Sequence, residues 1–242
     1  MAWSKGKAVV WLAETGIYLY KYEKTLWKSK RYGQGYVYRK PLSLTLPDML
    51  TDVVMTYGLS DYTVTCIVSG ASLIWRKLES VAANRDEAKE AALWEAGLSE
   101  EYVVDVIQQR QGTRRLASWY VAAYPREVSA RLYELLRQYV QIERIDVLPA
   151  AVSRCHTSQE GTLYIPDGEG IHLVTVEKGS PTLYAYSPTQ PDGYCKACDI
   201  YGEGAVLVER KDHAFEPLAV SKKIAQSLQM LDVPPIFAFL LA

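Results

Sequence analysis

Each half of the sequence opens with a predicted strand, a turn and a second strand. In the first half, the apolar run Ala8-Val-Val-Trp-Leu12 leads through Glu14-Thr15-Gly16 into the alternating run Ile17-Tyr-Leu-Tyr-Lys-Tyr22. In the second half, Thr162-Leu-Tyr-Ile165 and Ile171-His-Leu-Val-Thr-Val176 flank a glycine-containing turn. Because helix patterns and further strand patterns stand between the two units, we predict a mixed α/β fold.

Two segments carry the clearest helix signals. Asn84 is a predicted N-cap, Glu87 follows three residues later as in a capping box, and Gly97 is the predicted end. The second helix is predicted to follow Pro125. Its apolar stripe consists of Val128, Leu132, Leu135, Leu136 and Tyr139.

Composition excludes several classes of protein. The 242 residues are 49% hydrophobic and 23% charged, which argues against a disordered chain, a collagen and a disulfide-held miniprotein. The net charge of −1 gives no general case for nucleic acid binding. Residues 21–40 form a basic, tyrosine-rich run that could contact lipid headgroups or nucleic acid, but Glu23 interrupts it, and we interpret it as a solvated hairpin face.

The sequence gives no sign of membrane insertion or export. No apolar run reaches the ~18 residues that a transmembrane helix needs, and the N-terminus lacks the features of a signal peptide. We therefore expect a cytoplasmic protein with reduced thiols.

The four cysteines include one pair at close spacing. Cys195-Lys-Ala-Cys198 could supply half of a zinc site, with Cys155 and His156 as the other ligands. Residues 187–204 resemble a loop, and no helix pattern begins at the pair, which also argues against a thioredoxin-like redox motif. We interpret the pair as ordinary reduced cysteines, and a zinc site remains an alternative.

Known phosphate and metalloprotease motifs are absent. The sequence contains no Gly-x-x-x-x-Gly-Lys-Ser/Thr, no Gly-x-Gly-x-x-Gly and no His-Glu-x-x-His. We expect no nucleophilic mechanism based on cysteine or histidine.

Five segments, read in order over roughly the first 155 residues, resemble PilM-type proteins, the actin-like cytoplasmic proteins of type IV pilus assembly. That family is related to the cytoplasmic part of the type II secretion L protein. The segments are Ile67-Val-Ser-Gly-Ala-Ser-Leu-Ile-Trp-Arg-Lys-Leu78, Asp86-Glu-Ala-Lys-Glu-Ala-Ala-Leu-Trp-Glu95, Val103-Val-Asp-Val-Ile107, Val121-Ala-Ala-Tyr-Pro-Arg-Glu-Val128 and Ile145-Asp-Val147.

The resemblance implies an actin-like (ribonuclease H-like) two-lobe fold with an inserted small α+β subdomain. The first lobe would cover residues 1–150, with the insert at about 72–122. Residues 151–242 would form a shortened second lobe, since about 90 residues are few for two full subdomains.

Actin-like ATPases use two phosphate loops, and the resemblance implies that both are degenerate here. The first loop would be Val10–Ile17, where Trp11 and Ala13 occupy the places of the expected Asp and Gly. Glu14 adds a negative charge where phosphate would lie. The second loop would be Tyr164–His172, with Ile165 at the position of the expected Asp.

Only remnants of a nucleotide site are therefore expected. They are Glu14, Thr15 and Gly16 in the first loop and Asp167-Gly168 in the second. The Gly-Gly turn that the family uses for adenosine does not occur in this sequence. We expect a pseudo-ATPase without a catalytic residue and without ATP or another cofactor.

The resemblance also implies a partner. In PilM-type proteins, a groove between the insert and the lobe beneath it receives a short cytoplasmic N-terminal peptide of an inner-membrane protein. Here the groove would run along Ile74, Trp75 and Arg76 and the helix that carries Trp94. The alternative is that Trp75 and Trp94 only fill the core of the insert.

These observations predict a non-catalytic cytoplasmic scaffold of a type IV pilus or type II secretion-like assembly platform, held at the inner membrane by its partner. An atypical actin-like ATPase of the same machinery is one alternative. A zinc-binding accessory protein built around Cys195 and Cys198 is another.

Overall fold

The computed structural model describes residues 6–24, 29–36, 50–108, 117–155 and 160–219. Thirteen strands in this part of the chain form two sheets. The strands are β1 (Gly6–Leu12), β2 (Ile17–Lys24), β3 (Ser29–Tyr36), β4 (Tyr62–Val68), β5 (Ile74–Ser80), β6 (Tyr102–Gln108), β7 (Ala117–Pro125), β8 (Gln141–Val147), β9 (Gly161–Asp167), β10 (Gly170–Glu177), β11 (Ser180–Ser187), β12 (Leu207–Glu209) and β13 (Phe215–Pro217).

Five α-helices and a short 3-10 helix (Leu59–Asp61) accompany the strands in the described residues. Both helix predictions are confirmed. The Asn84 side chain accepts hydrogen bonds from the backbone N–H groups of Asp86 and Glu87, and Gly97 ends that helix in the left-handed conformation. The helices are α1 (residues 50–56), α2 (Arg85–Ala96), α3 (Arg126–Tyr139), α4 (Leu148–Cys155) and α5 (Asp192–Tyr201).

The first sheet has the order β3-β2-β1-β4-β8. Strands β1, β2 and β3 form an antiparallel meander, whereas β4 and β8 run parallel to β1. A parallel pair needs a crossover connection, and α3 lies in the connection that leads to β8. The almost continuous burial of β4 is typical of a strand that is covered on both faces.

The second sheet has the order β13-β12-β9-β10-β11-β5-β7-β6, and its paired strands are antiparallel. Its strands come from two separate parts of the sequence, because β5, β7 and β6 lie between β4 and α3, and the others follow α4. The two parts meet where β11 pairs with β5 at Leu183 and Arg76.

The hydrophobic core has four clusters. The largest contains Trp11, Trp75 and Leu163 and lies between the two sheets. A second packs α1 and α3 against the first sheet and includes the whole predicted apolar stripe of α3. A third packs α2 on β5, β6 and β7, and the fourth packs α5 on the far end of the second sheet.

One prediction on secondary structure is wrong. Residues 187–204 were predicted as a loop, but they contain α5, which begins after Pro191 and ends before Gly202. Only Tyr194 and Ala197 of this helix are fully buried, so its apolar stripe is too narrow to stand out in the sequence. The predicted domain boundary after residue 150 falls within α4, and the domain limits stay predictions.

Among the described helices, none has both the length and the apolar character needed to cross a membrane.

Candidate functional site

The two turns that correspond to the predicted phosphate loops touch each other. The backbone N–H of Thr15 donates to Asp167 Oδ2 at 2.9 Å, and Thr15 Oγ1 donates to Asp167 Oδ1 at 2.5 Å. Asp167 ends β9 and is completely buried. A single carboxylate therefore joins the β1–β2 turn to the β9–β10 turn.

Asp167 has further partners, and they stabilise its negative charge in a buried position. Tyr18 Oη donates to Asp167 at 3.3 Å, and His172 Nε2 lies 3.3 Å from Asp167 Oδ2. Burial raises the pKa of this carboxyl group, but the charge and hydrogen bond of His172 and the hydrogen bonds of Thr15 outweigh it. The net pKa of Asp167 lies below its ordinary value.

The polar network continues from His172 to the end of β4. His172 Nδ1 lies 2.9 Å from Tyr184 Oη, which accepts from the Gly70 N–H at 2.7 Å and donates to the Gly70 carbonyl at 3.1 Å. Trp11 Nε1 donates to Ser69 Oγ at 2.9 Å, and this hydroxyl lies 3.4 Å from His172 Nε2. Buried, hydrogen-bonded groups thus hold the two sheets together at this interface.

Two glycines allow this close approach. A Cβ atom on Gly168, whose φ is +61°, would lie 2.8 Å from Thr15 Oγ1. A Cβ atom on Gly70 would lie 2.3 Å from Glu14 Oε2, which accepts from the Ala71 N–H at 2.9 Å. At both positions the glycine backbone faces a side chain of the protein's own first turn.

The structure therefore brings most of the predicted remnant residues together. Glu14, Thr15, Asp167 and Gly168 share one cluster, and the Gly16 carbonyl closes the first turn by accepting from the Ala13 N–H at 2.9 Å. In this arrangement the Thr15 N–H and the Asp167 carboxylate are used within the protein. The cluster holds two parts of the chain together, and it brings the negative charges of the buried Asp167 and of Glu14 to these turns.

A cavity lies where β6 and β7 of the second sheet approach β8 of the first. An apolar cavity of about 130 Å³ is formed by β6 and β7 on one wall and by β8 and α3 on the other. The lining includes Val103, Ala122, Ala123, Leu132, Ile145 and Val147. We call this feature the β6–β8 groove.

The β6–β8 groove is bordered by two strand edges. Within the described residues, β6 ends the second sheet and β8 ends the first. Val103 and Ile145 are 41% and 39% exposed there. The carboxylates of Asp105 and Asp146 each lie 2.5 Å from a guanidinium nitrogen, of Arg85 and Arg154 respectively, so the groove combines apolar walls, paired charges and backbone edges.

The four residues predicted to bind a partner lie in different environments. Ile74, Trp75 and Arg76 are consecutive on β5, so Trp75 points to the opposite face from its two neighbours. Trp75 is 3% exposed, stacks on Tyr120 at 5.4 Å and donates from Nε1 to the Pro181 carbonyl at 3.0 Å. Trp94 is 87% exposed and lies outside the cluster under α2.

The structure thus does not bring these four residues into one surface, and sequence reasoning missed the residues of the β6–β8 groove. One signal was available. The run Val103-Val-Asp-Val-Ile107 has apolar residues on both faces of a strand, which is unusual for an edge strand exposed to water.

Cys195 and Cys198 lie on α5, where Cys195 is exposed and Cys198 is half-buried. Two thiolates are half of the four ligands of a structural zinc site. Over the described ranges, no group of three or more His, Cys, Asp or Glu residues is placed to hold a metal ion. His156 lies outside the described residues.

This chain is similar to known proteins in structure. No family model matches the sequence, and no curated protein matches it. A chain of a PilM-PilN type IV pilus biogenesis complex superposes with a TM-score of 0.57 at 16% identity, over 82% of this chain and 66% of that one. The chain thus spans slightly less than two thirds of that protein.

Two further structures are similar. A Bacteroides thetaiotaomicron protein with an actin-like ATPase fold and unknown function gives a TM-score of 0.51 at 10% identity, over 82% of this chain and 76% of that one. The cytoplasmic domain of EpsL, an inner membrane component of the Vibrio cholerae type II secretion system, gives a TM-score of 0.48 at 13% identity. The match covers 74% of this chain and 69% of that one. The predicted fold is confirmed: this chain has the actin-like ATPase fold, with a likeness in structure to the PilM-PilN complex.

Proposed function

We propose that the protein is a non-catalytic scaffold of a type IV pilus or type II secretion-like assembly platform. It binds a short cytoplasmic N-terminal peptide of an inner-membrane partner and is held at the membrane by that partner. The likeness to a chain of the PilM-PilN complex supports this proposal at the level of fold. The contact between the two turns at Asp167 is the observation that supports the absence of catalysis in this proposal.

A nucleotide needs free backbone donors in its phosphate loops, because phosphate oxygens bind to N–H groups that point at them. Here the Thr15 N–H donates to Asp167, and the Gly70 and Ala71 N–H groups donate to Tyr184 and Glu14. To admit a triphosphate, the protein would have to break these bonds and bring further negative charge next to the buried Asp167, which is unfavourable.

The two parts of the second sheet are also joined toward the other end of β10 and β11. Strand β11 pairs with β5, and the Trp75 side chain bonds to the Pro181 carbonyl at the start of β11. A movement that separated these two parts of the sheet would have to break this junction. A scaffold of fixed shape fits these contacts better than an ATPase that opens and closes around its substrate.

A calorimetric titration with Mg-ATP tests the non-catalytic part. We expect no heat of binding and no thermal stabilisation at millimolar ATP, since a ligand that binds the folded state raises its stability. Binding at micromolar concentration would contradict the proposal and favour the alternative of a working, atypical ATPase.

The β6–β8 groove is the proposed peptide site. An extended peptide can form main-chain hydrogen bonds with a strand edge and place alternate side chains in pockets. The cavity of about 130 Å³ is similar in volume to the apolar cavity of ~150 Å³ that accepts benzene. It therefore fits one leucine-sized or phenyl-sized side chain of a peptide that lies along β6 or β8.

Photo-crosslinking in cells of the source organism tests the peptide site. A benzoylphenylalanine at position 103 or 145 should crosslink to the cytoplasmic N-terminal segment of an inner-membrane protein, identified by mass spectrometry. Position 107, which is also exposed on β6 but lies outside the groove lining, is the matched control and should give little crosslinking.

Position 94 extends the test to the surface predicted from the sequence. Crosslinks at Trp94 with none at Val103 or Ile145 would move the partner site to the outer face of α2. Crosslinks at none of these positions would contradict peptide binding by this part of the protein.

A further inference from the structure

We propose that Cys195 and Cys198 form a reversible disulfide and make α5 a site of thiol modification, independent of the β6–β8 groove. The sequence placed this pair in a loop, where the distance between two thiols is undefined. The helix fixes the distance between the two Cα atoms, and this carries the inference.

The Cα spacing of a helix falls within the range that a disulfide can span. Residues three apart in an α-helix have Cα atoms about 5 Å apart and lie on the same face. Disulfides span Cα distances of about 4.4–6.8 Å. Cβ atoms three residues apart in a helix are about 5–6 Å apart, and a disulfide draws them to about 3.5–4.5 Å. The Cys195 N–H makes the first helical hydrogen bond, to the Pro191 carbonyl at 3.0 Å, so bond formation unwinds the first turn of α5.

Access distinguishes this pair from Cys66. Cys195 is exposed and Cys198 is half-buried, and both are free thiols. Cys66 is completely buried in β4, and burial raises the pKa of its thiol, so it stays protonated and unreactive. The two cysteines on one face of α5 are therefore also ones that an oxidant can reach.

The oxidant is a low-molecular-weight disulfide such as oxidised glutathione. The Cys195 thiolate attacks one glutathione sulfur, which forms a mixed disulfide and releases one glutathione thiolate. The Cys198 thiolate then attacks the Cys195 sulfur and releases the second glutathione. The protein loses two protons and two electrons, and the oxidised glutathione is reduced to two thiol molecules.

Tryptic peptide mapping tests this inference directly, because Lys196 lies between the two cysteines. Trypsin cuts after Lys196 and places Cys195 in the peptide 179–196 and Cys198 in the peptide 197–210. After incubation of the folded protein with excess oxidised glutathione and alkylation of free thiols, we expect most of these peptides to be joined by a disulfide. Reduction with dithiothreitol should separate them.

Two serine variants identify the order of steps. Cys198→Ser should accumulate a stable glutathione adduct on Cys195. Cys195→Ser should react at least tenfold more slowly, since the half-buried thiol then has to attack first. A stable adduct on Cys195 in the unmodified protein, a link to the peptide that holds Cys155, or two alkylated thiols would each overturn the inference.

Discussion

The turn contact at Asp167 and the β6–β8 groove both lie where the two sheets approach each other, yet they are built in opposite ways. At Asp167, the groups that face each other are buried, polar and paired. In the β6–β8 groove, the walls are apolar and two strand edges border an open cavity. In the turns, backbone N–H groups donate to the protein's own side chains. The groove, by contrast, has a partly exposed apolar surface that a ligand could cover.

Substitutions in these two regions should separate effects on stability from effects on binding. Removal of one partner from a buried charged network leaves the other partner unpaired, which is costly. Exposed positions at the groove can change with little effect on folding. The first region should therefore respond in unfolding experiments and the second in binding experiments.

The largest effect is expected from Asp167→Ala. This change removes the acceptor for Thr15 and Tyr18 and leaves His172 without its carboxylate, so we expect a loss of about 3–5 kcal/mol in the free energy of unfolding. Urea denaturation measures it. The matched control is Glu169→Ala, an exposed carboxylate two residues away, which should change stability by less than about 0.5 kcal/mol. Equal losses in both variants would contradict a special contribution of the Asp167 contact to stability.

Acid should weaken the same contact. The pKa of Asp167 is lower in the folded protein than in the unfolded chain, so its ionised form contributes stability that is fully present above about pH 4. That contribution is lost as the pH falls through the folded-state pKa. Unfolding free energies between pH 6 and pH 3 should fall more for the wild type than for Asp167→Asn, and parallel curves would contradict this role of the carboxylate.

A smaller effect is expected from Gly168→Ala. Gly168 and Gly179 both have positive φ values, so alanine at either position costs about 1 kcal/mol in backbone strain. Only at Gly168 would the new Cβ meet Thr15, because nothing lies within 4 Å of the corresponding atom at Gly179. Gly168→Ala should therefore destabilise the protein by about 1–2 kcal/mol more than Gly179→Ala, as measured by thermal or urea unfolding.

The smallest effect on stability is expected from Val103→Glu. The side chain is 41% exposed, so we expect a change within about 0.5 kcal/mol. The same variant should abolish crosslinking from position 145, since a solvated charge at the edge of the cavity would have to lose water when an apolar peptide side chain enters. Ile107→Glu on the same strand is the control and should leave crosslinking unchanged. Retained crosslinking in Val103→Glu would argue against the groove as the peptide site.

The sequence was a good guide wherever the signal is local. The cap at Asn84 and the apolar stripe of α3 depend on residues within one or a few turns, and both are confirmed. Helix α5 was missed because so few of its residues are buried. The order of strands in the two sheets was not predicted, since no local pattern specifies which strands pair.

The candidate sites were predicted less completely. Glu14, Thr15, Asp167 and Gly168 were identified, but their mutual contact joins residues about 150 positions apart and has no local signature. Trp75 was assigned to the partner groove from the resemblance to PilM-type proteins, and in the structure it is buried against Tyr120. The groove combines β6, β7, β8 and α3, so its cavity exists only after the sheets have assembled.

The junction of β11 with β5 has a consequence for the order in which the chain folds during synthesis. Strand β5 can pair with β7 as soon as residue 125 has left the ribosome, but its other edge needs β11, which ends at Ser187. Domains generally form from the N-terminal side, and contacts distant in sequence form slowly. The free edge of β5 is thus exposed in the nascent protein, and its charged residues Arg76, Lys77 and Glu79 protect that edge from pairing with another chain until the second sheet is completed.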